Sequence, residues 1–315
     1  MPCTYYYTDE EVGFPFPGPD ADRLKYFGGI PRFVWYEWPG FETTTDPNRA
    51  DVFVVRQRFS KLTEAQMRGL PYLRGNEERH VFFDLNDHFI KTFPDIQGIY
   101  FRSCCTEAIL AVNPNTVLWP WAVVESLVHD YIPMPAGGFK YDVVYQGRIY
   151  PWNDTMIGLL ENTNLRSHLV RVSTFWPHIR DSPDPSERAR AAKLKEVYLT
   201  TMSEGRLILC PMTIGTGAVR MRLYDAMAMG RFQVHFNDRA VLPFNDKINW
   251  DECMLRLPLS AIRDIHKILP AWLAQHSDED IIMRGKYARE MWKKWLAPEQ
   301  WGHTAGIMVR ERLGL

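Results

Sequence analysis

The sequence is poor in several features that would narrow its function at once. Lys and Arg together number 37 against 38 Asp and Glu, a formal net charge of −1. No overall field draws such a chain to nucleic acid or to an anionic membrane, so any positive site must be local. The longest apolar run, residues 116–124, is broken by Pro120 and closed by Glu125, which is too short to cross a bilayer. The opening residues, MPCTYYYTDEEVGF, hold no basic segment followed by an apolar one, so no secretory signal is expected. There are five cysteines, with Cys104 and Cys105 adjacent. An odd count of this kind does not suit a disulfide framework and points to a reducing, cytoplasmic setting.

Familiar catalytic motifs are missing as well. The nine histidines include no HExxH, and CxxC is absent. His80, Asp84, Asp87 and His88 crowd one strand and its end, with the aspartates spaced D-x-x-D, and make no evident closed zinc site. The absence of GxSxG excludes the nucleophile elbow of the α/β-hydrolases. No internal repeat and no low-complexity segment occurs. Residues 183–195 mix acids with bases and interleave no aromatics, so they read as a capped, charged surface helix and not as a nucleic-acid patch.

What is present supports a globular α/β protein. The 315 residues, 46% hydrophobic and 13% aromatic, suffice for two domains, each with its own core. In the first half, strand-like runs (4–8, 50–55 and 80–85) alternate with a helix-like run (61–70) and a mixed apolar run (106–112), the pattern of a parallel sheet covered on both faces. Residues 132–139, IPMPAGGF, punctuate the pattern as a linker. DVVYQG at 142–147 then opens a second such unit and ends beside Arg148, a candidate phosphate or acceptor contact. Residues 277–296 read as a helix with a packing stripe at Ile281, Ile282, Tyr287, Met291, Trp292 and Trp295. The expected division is residues 1–135, 136–276 and 277–315. Of the eleven tryptophans, Trp119, Trp121, Trp272, Trp292 and Trp295 are read as core.

Residues 206–244 carry the most information. They read as an apolar strand, a glycine loop with Gly215, Thr216 and Gly217, a short helix with Arg222 and Asp225, and a second strand ending at Asp238. Loop amides at a helix N-terminus favour an anion such as a diphosphate, and Arg222 can add a charge-assisted bond. Asp225, three residues on, projects from nearly the same helix face and could accept both hydroxyls of a ribose. A dinucleotide fingerprint is the competing reading. Against it, the third glycine position holds Arg220, and residues 211–214 separate the strand from the first glycine.

In order, Cys210-Pro211, Gly215 to Gly217, Arg222, Tyr224, Asp225, Gly230, Asn237-Asp238, Leu242-Pro243-Phe244 and Trp250 resemble the C-terminal half of the exostosin-like glycosyltransferases, family 47. Residues 50–55 and 80–88 resemble its N-terminal domain more weakly. Arg220 replaces a common Ser, and Phe232-Gln233-Val234 replaces the usual Ile-Pro-Val, which leaves the donor sugar open. The resemblance implies a GT-B fold, in which two Rossmann-like domains face each other across a cleft and a C-terminal helix crosses back to the first domain. It implies inverting transfer from a nucleoside diphosphate sugar, UDP-linked, to a hydroxyl of a glycan or glycoprotein. UDP-xylose, UDP-galactose and UDP-glucuronate are the candidate donors, and neither a cofactor nor a divalent metal is required. Arg148, Gly215, Thr216, Gly217, Arg220, Arg222 and Asp225 are then the donor-binding set. Asp84, Asp87 and His88 are the first candidates for the general base, and Asp9, Glu10 and Glu11 the second. Because cellular members carry an N-terminal membrane anchor, the expectation is a soluble microbial or viral member, or a trimmed chain from the Golgi lumen. An NAD-type oxidoreductase and a carbohydrate-binding protein without turnover are the alternatives.

Overall fold

A computed structural model describes residues 1–12, 38–58, 62–84, 93–102, 105–120, 132–134, 137–148, 150–173, 179, 182–211, 219, 221–237 and 241–315. Strands β1 (Cys3–Tyr6), β2 (Glu42–Thr44), β3 (Val52–Arg58), β4 (His80–Asp84), β5 (Ile99–Arg102) and β6 (Thr116–Leu118) form one sheet, in the order β2-β1-β3-β4-β5-β6. Strands β7 (Tyr141–Arg148), β8 (Ser167–Val172), β9 (Gly205–Pro211), β10 (Gln233–Phe236) and β11 (Met254–Leu257) form a second, in the order β11-β10-β9-β7-β8. All the pairings are parallel.

Parallel strands need crossovers, and helices supply them. Those used below are α1 (Asp9–Val12), α2 (Glu64–Arg68), α3 (Glu107–Val112), α4 (Pro151–Glu161), α5 (Pro185–Glu204), α6 (Met221–Ala228), α7 (Trp250–Cys253), α8 (Ile265–Gln275), α9 (Asp278–Met291) and α10 (Trp301–Leu313). Their starts follow local chemistry. Thr63 and Gln66 make a capping box on α2, Ser277 and Asp280 make one on α9, and Asp184 caps α5 ahead of Pro185. The mixed run at 106–112 is a helix because Thr106 accepts from the Ile109 amide.

Side chains alternate across each strand, and the two faces bury different partners. In the second sheet Val143, Tyr145, Leu207, Leu209, Val234 and Phe236 join the α4 and α8 side chains, Met156, Ile157, Leu160, Ile265 and Leu269 among them. Val144, Ile208 and Cys210 point the other way, toward Tyr198 of α5 and Leu223 of α6. In the first sheet Phe53, Val55, Phe82 and Tyr100 pack with Met67 and Leu70, while Val52, Val54, Val81, Phe83 and Phe101 belong to the same cluster as the α10 side chains.

The last helix therefore serves the first sheet. Gly306 sits where a Cβ would meet Trp38 Cβ at 3.5 Å, and Arg310 donates to the Gly40 carbonyl and lies over the Phe41 ring. Trp119, at the end of β6, makes edge contacts with Phe244 and with Trp301. Two Rossmann-like layers with their strand ends turned toward each other, and a C-terminal helix that returns to the first, make the GT-B type arrangement. The stripe expected at 277–296 is packing, on α9 and the π-helical turn Trp292–Leu296 that continues it: Ile281 and Trp292 are buried, with Tyr287, Met291 and Trp295 half-buried against the core. The four described cysteines, Cys3, Cys105, Cys210 and Cys253, are buried free thiols. No helix among the described residues is long and apolar enough to cross a membrane.

Candidate functional site

In an open parallel sheet, ligands gather at the carboxyl ends of the strands where the strand order reverses. The chain passes from β7 to β8 on one side and then resumes at β9 on the other, so the reversal in the second sheet lies between β7 and β9. Gly147, Arg148 and Pro211 lie at those two strand ends, and the next described helix in the chain is α6. The geometry thus gathers the ends of the two segments that the sequence singled out.

Arg222 spans this point. It sits in the first turn of α6, reaches back to donate through Nη2 to the Gln146 carbonyl on β7, and places its guanidinium 4.6 Å from the centre of the Tyr145 ring. The approach requires Gly147, because a Cβ there would lie 2.6 Å from Arg222 Nη2. Arg222 Nε is buried with no hydrogen-bond partner. A fixed cation with its Nε donor unused at a strand-order reversal suits an anion. Tyr145 is held in turn, accepting from Asn153 Nδ2 of α4 at 2.9 Å.

Asp225 lies behind this point. Its side chain is fully buried and accepts from the Tyr198 hydroxyl of α5 at 2.6 Å. It shares the α6 side of the sheet with an unusual buried polar set for a parallel sheet: Gln146, Cys210, Gln233 and His235. Cys210 Sγ donates to Gln233 Oε1 at 3.4 Å, and His235 Nδ1 donates to the Cys210 carbonyl at 2.9 Å. Burial pushes the Cys210 thiol up to about 12 and pulls His235 down to about 4. His235 is therefore neutral, and its Nε2 is buried without a partner. Gly215, Thr216, Gly217 and Arg220 lie outside the described residues, as does the Arg148 side chain.

On the first sheet the reversal lies between β1 and β3. Asp9, Glu10 and Glu11 open α1 directly after β1 and so sit at that reversal. Burial favours the neutral form of Glu11, but bonds from the Thr8 amide, Tyr5 and the Thr8 hydroxyl outweigh it and hold its pKa below the ordinary carboxylate value. Asp84 ends β4, and Asp87 and His88 lie outside the described residues. His80 is a core histidine: it stacks on Phe53 at 4.9 Å and bonds to Tyr7 Oη and the Asn76 carbonyl. Among the described residues no group of three or more His, Cys, Asp or Glu is placed to hold a metal. Of the two D-x-D triplets, Asp20-Ala21-Asp22 lies outside the described residues, and Asp278-Glu279-Asp280 lies in the first turn of α9, where Asp280 belongs to the capping box.

Two features escaped the sequence reading. Tyr145 and Gln146 looked like ordinary strand residues, and only the cross-sheet reach of Arg222 gives them a role. Glu107, exposed in the first turn of α3, lines a cavity of about 700 Å³ together with residues that follow β10. Thr106 before an apolar run was a legible helix start, but nothing in the sequence placed that start opposite the second domain.

These features define a class: a two-domain α/β protein with a cationic site at the strand-order reversal of its second sheet. No family model matches the sequence. It is 24% identical to Exostosin-1 of Drosophila melanogaster over 308 residues, covering 86% of this chain and 38% of that protein. The chain thus spans well under half the length of that relative. Among solved structures it superposes on TarM with a TM-score of 0.41 and 11% identity, covering 79% of this chain and 52% of that one. On a DNA-modifying β-glucosyltransferase, crystallised with and without uridine diphosphoglucose, the TM-score is 0.39 at 11% identity, and both chains are covered in full.

Proposed function

We propose that the protein is an inverting glycosyltransferase that moves a sugar from a UDP-linked donor to a glycan hydroxyl. One observation carries the reading: Arg222 is anchored across the β7–β9 reversal with its Nε donor unused. The order of motif residues around it, in a chain similar to an exostosin over most of its length, adds support. In this reading Arg222, Arg148, Arg220 and the amides of Gly215 to Gly217 stabilise the leaving diphosphate, on which negative charge grows in the transition state. Local arginines and loop amides do this without a divalent cation.

The acceptor hydroxyl attacks the anomeric carbon from the face opposite the diphosphate, and the configuration inverts as that bond breaks. A base on the first domain takes the hydroxyl proton. Asp84, Asp87 and His88 are one candidate group, and Asp9 and Glu10 another. Glu11 is a poorer base than an ordinary glutamate, because its carboxylate is already committed to Thr8 and Tyr5. Asp225 sits too deep to be assigned ribose contact from its position alone, and its bond to Tyr198 suits an orienting role beneath Arg222. Replacing each of Asp9, Asp84, Asp87 and His88 tests the base: its loss should lower turnover by roughly a hundredfold or more while donor binding persists. If all four variants and Glu10→Gln keep full turnover, a side-chain base from this set is refuted.

A further inference from the structure

The cavity of about 700 Å³ lies where the two domains meet, on the side of β10 and β11. Its wall is built with care. The Val241 amide donates to the Cys105 carbonyl at 2.9 Å, which ties the segment after β10 to the end of β5. Phe244 adopts φ of 50°, a left-handed conformation uncommon for a bulky residue, with its ring buried against Trp119 and Trp295. Trp250 Nε1 donates to the Pro243 carbonyl at 3.0 Å. Residues 242–244 and Trp250, prominent in the sequence for their order alone, thus fix one rigid turn, and that turn is a wall of the cavity.

The lining is polar and of mixed charge. Glu107 contributes from the first domain, and Asn237, Asn245, Asn249, Asp251 and Arg256 from the second. Amides and carboxylates of this kind offer donors and acceptors together, as a ligand rich in hydroxyls requires, since each hydroxyl both donates and accepts. A phosphate would meet the carboxylates of Glu107, Asp246 and Asp251, while the cations of the lining, Lys247 and Arg256, are already paired with Asp246, Glu311 and Asp251, and an apolar ligand would meet little apolar surface. The volume is within the range of about 300–1,000 Å³ that buries a small ligand. A preformed wall lowers the ordering cost of binding.

We infer that this cavity is the subsite for an oligosaccharide acceptor, with the Glu107 carboxylate accepting from saccharide hydroxyls on the first-domain side. The inference rests on the transferase reading for the word acceptor, and on the cavity alone for saccharide binding. Glu107, Asn245 and Asn249 are exposed, so their replacement leaves the core intact.

The test titrates a panel of defined oligosaccharides, ending in neutral hexoses, pentoses, uronic acids and N-acetylhexosamines, into the wild type and into the Glu107→Gln/Asn245→Ala double variant. UDP is titrated into both in parallel. The expected result is binding of at least one panel member, weakened at least about tenfold in the variant, with UDP affinity unchanged. If the wild type binds UDP but no oligosaccharide, or the variant binds oligosaccharide as the wild type does, the inference is overturned. A loss of UDP affinity in the variant overturns it too, by assigning the cavity to the donor. Oligosaccharide binding that depends on the cavity, in a protein that ignores UDP, upholds the saccharide site and rejects the donor reading.

Discussion

Gly147→Ala isolates the role of Arg222 without touching a charge. The new Cβ would meet the Tyr145 hydroxyl first and would fall 2.6 Å from Arg222 Nη2 and from Tyr145 Cζ, well inside van der Waals contact. The nearest obstacles are the ends of two side chains, so the fold survives: the overpacking cost is about 1–3 kcal/mol at most. The guanidinium instead leaves the Gln146 carbonyl and its seat over Tyr145. A charge-assisted hydrogen bond to a bound diphosphate contributes about 1.5–3 kcal/mol, so UDP affinity should fall roughly 10- to 150-fold. Calorimetric titration of UDP reads this directly. A double-mutant cycle sharpens it, because Gly147→Ala should cost little further affinity once Arg222 is already Ala. Unchanged affinity in Gly147→Ala, or full additivity with Arg222→Ala, would refute the claim that the glycine acts through the arginine.

Three further outcomes follow from the same geometry. Tyr198→Phe removes a 2.6 Å bond from the buried Asp225 carboxylate and should lower stability by about 1.5–3 kcal/mol; a denaturant midpoint equal to wild type would show that the bond contributes nothing. His80 and His235 are buried and neutral, with pKa values lowered from 6.5 to about 4 by desolvation, so on acidification the unfolded chain takes up protons first. Stability is then intact above pH about 6.5 and falls toward pH about 4 by about 3 kcal/mol for each histidine, and His235→Asn should flatten that fall in urea titrations at pH 7 and pH 4.5. Transfer activity should persist in excess chelator, and loss of turnover restored by manganese would contradict the metal-free account of the leaving group.

The layers were legible in the sequence because buried parallel strands are apolar and helix caps are local. The strands predicted at 50–55, 80–85, 142–147 and from Arg206 are β3, β4, β7 and β9, and the helices predicted at 61–70, 183–195 and from Ser277 correspond to α2, α5 and α9, of which α5 runs on to Glu204. The short strands β2, β5, β6, β8 and β11 were not read from the sequence; β5 and β6 are largely apolar but only four and three residues long. β2 is polar and only three residues long, and β8 and β11 lie at a sheet edge, where half-exposed side chains blur the pattern. Arg222 and Asp225 were both legible as a pair on one helix, yet spacing of three residues could not say that one reaches β7 while the other turns toward Tyr198. That distinction depends on which neighbours the crossover brings, and is a tertiary property. The same holds for Glu107, whose place opposite residues 241–251 follows from how the two sheets meet.

The central claim, a UDP-sugar site built on Arg222 at the β7–β9 reversal, is tested most directly by calorimetric titration of UDP, GDP and NAD into the wild type and Arg222→Ala. The account predicts that UDP binds the wild type in preference to GDP and NAD and is weakened at least about tenfold in the variant. Selective binding of NAD, or UDP binding that Arg222→Ala leaves unchanged, would contradict it.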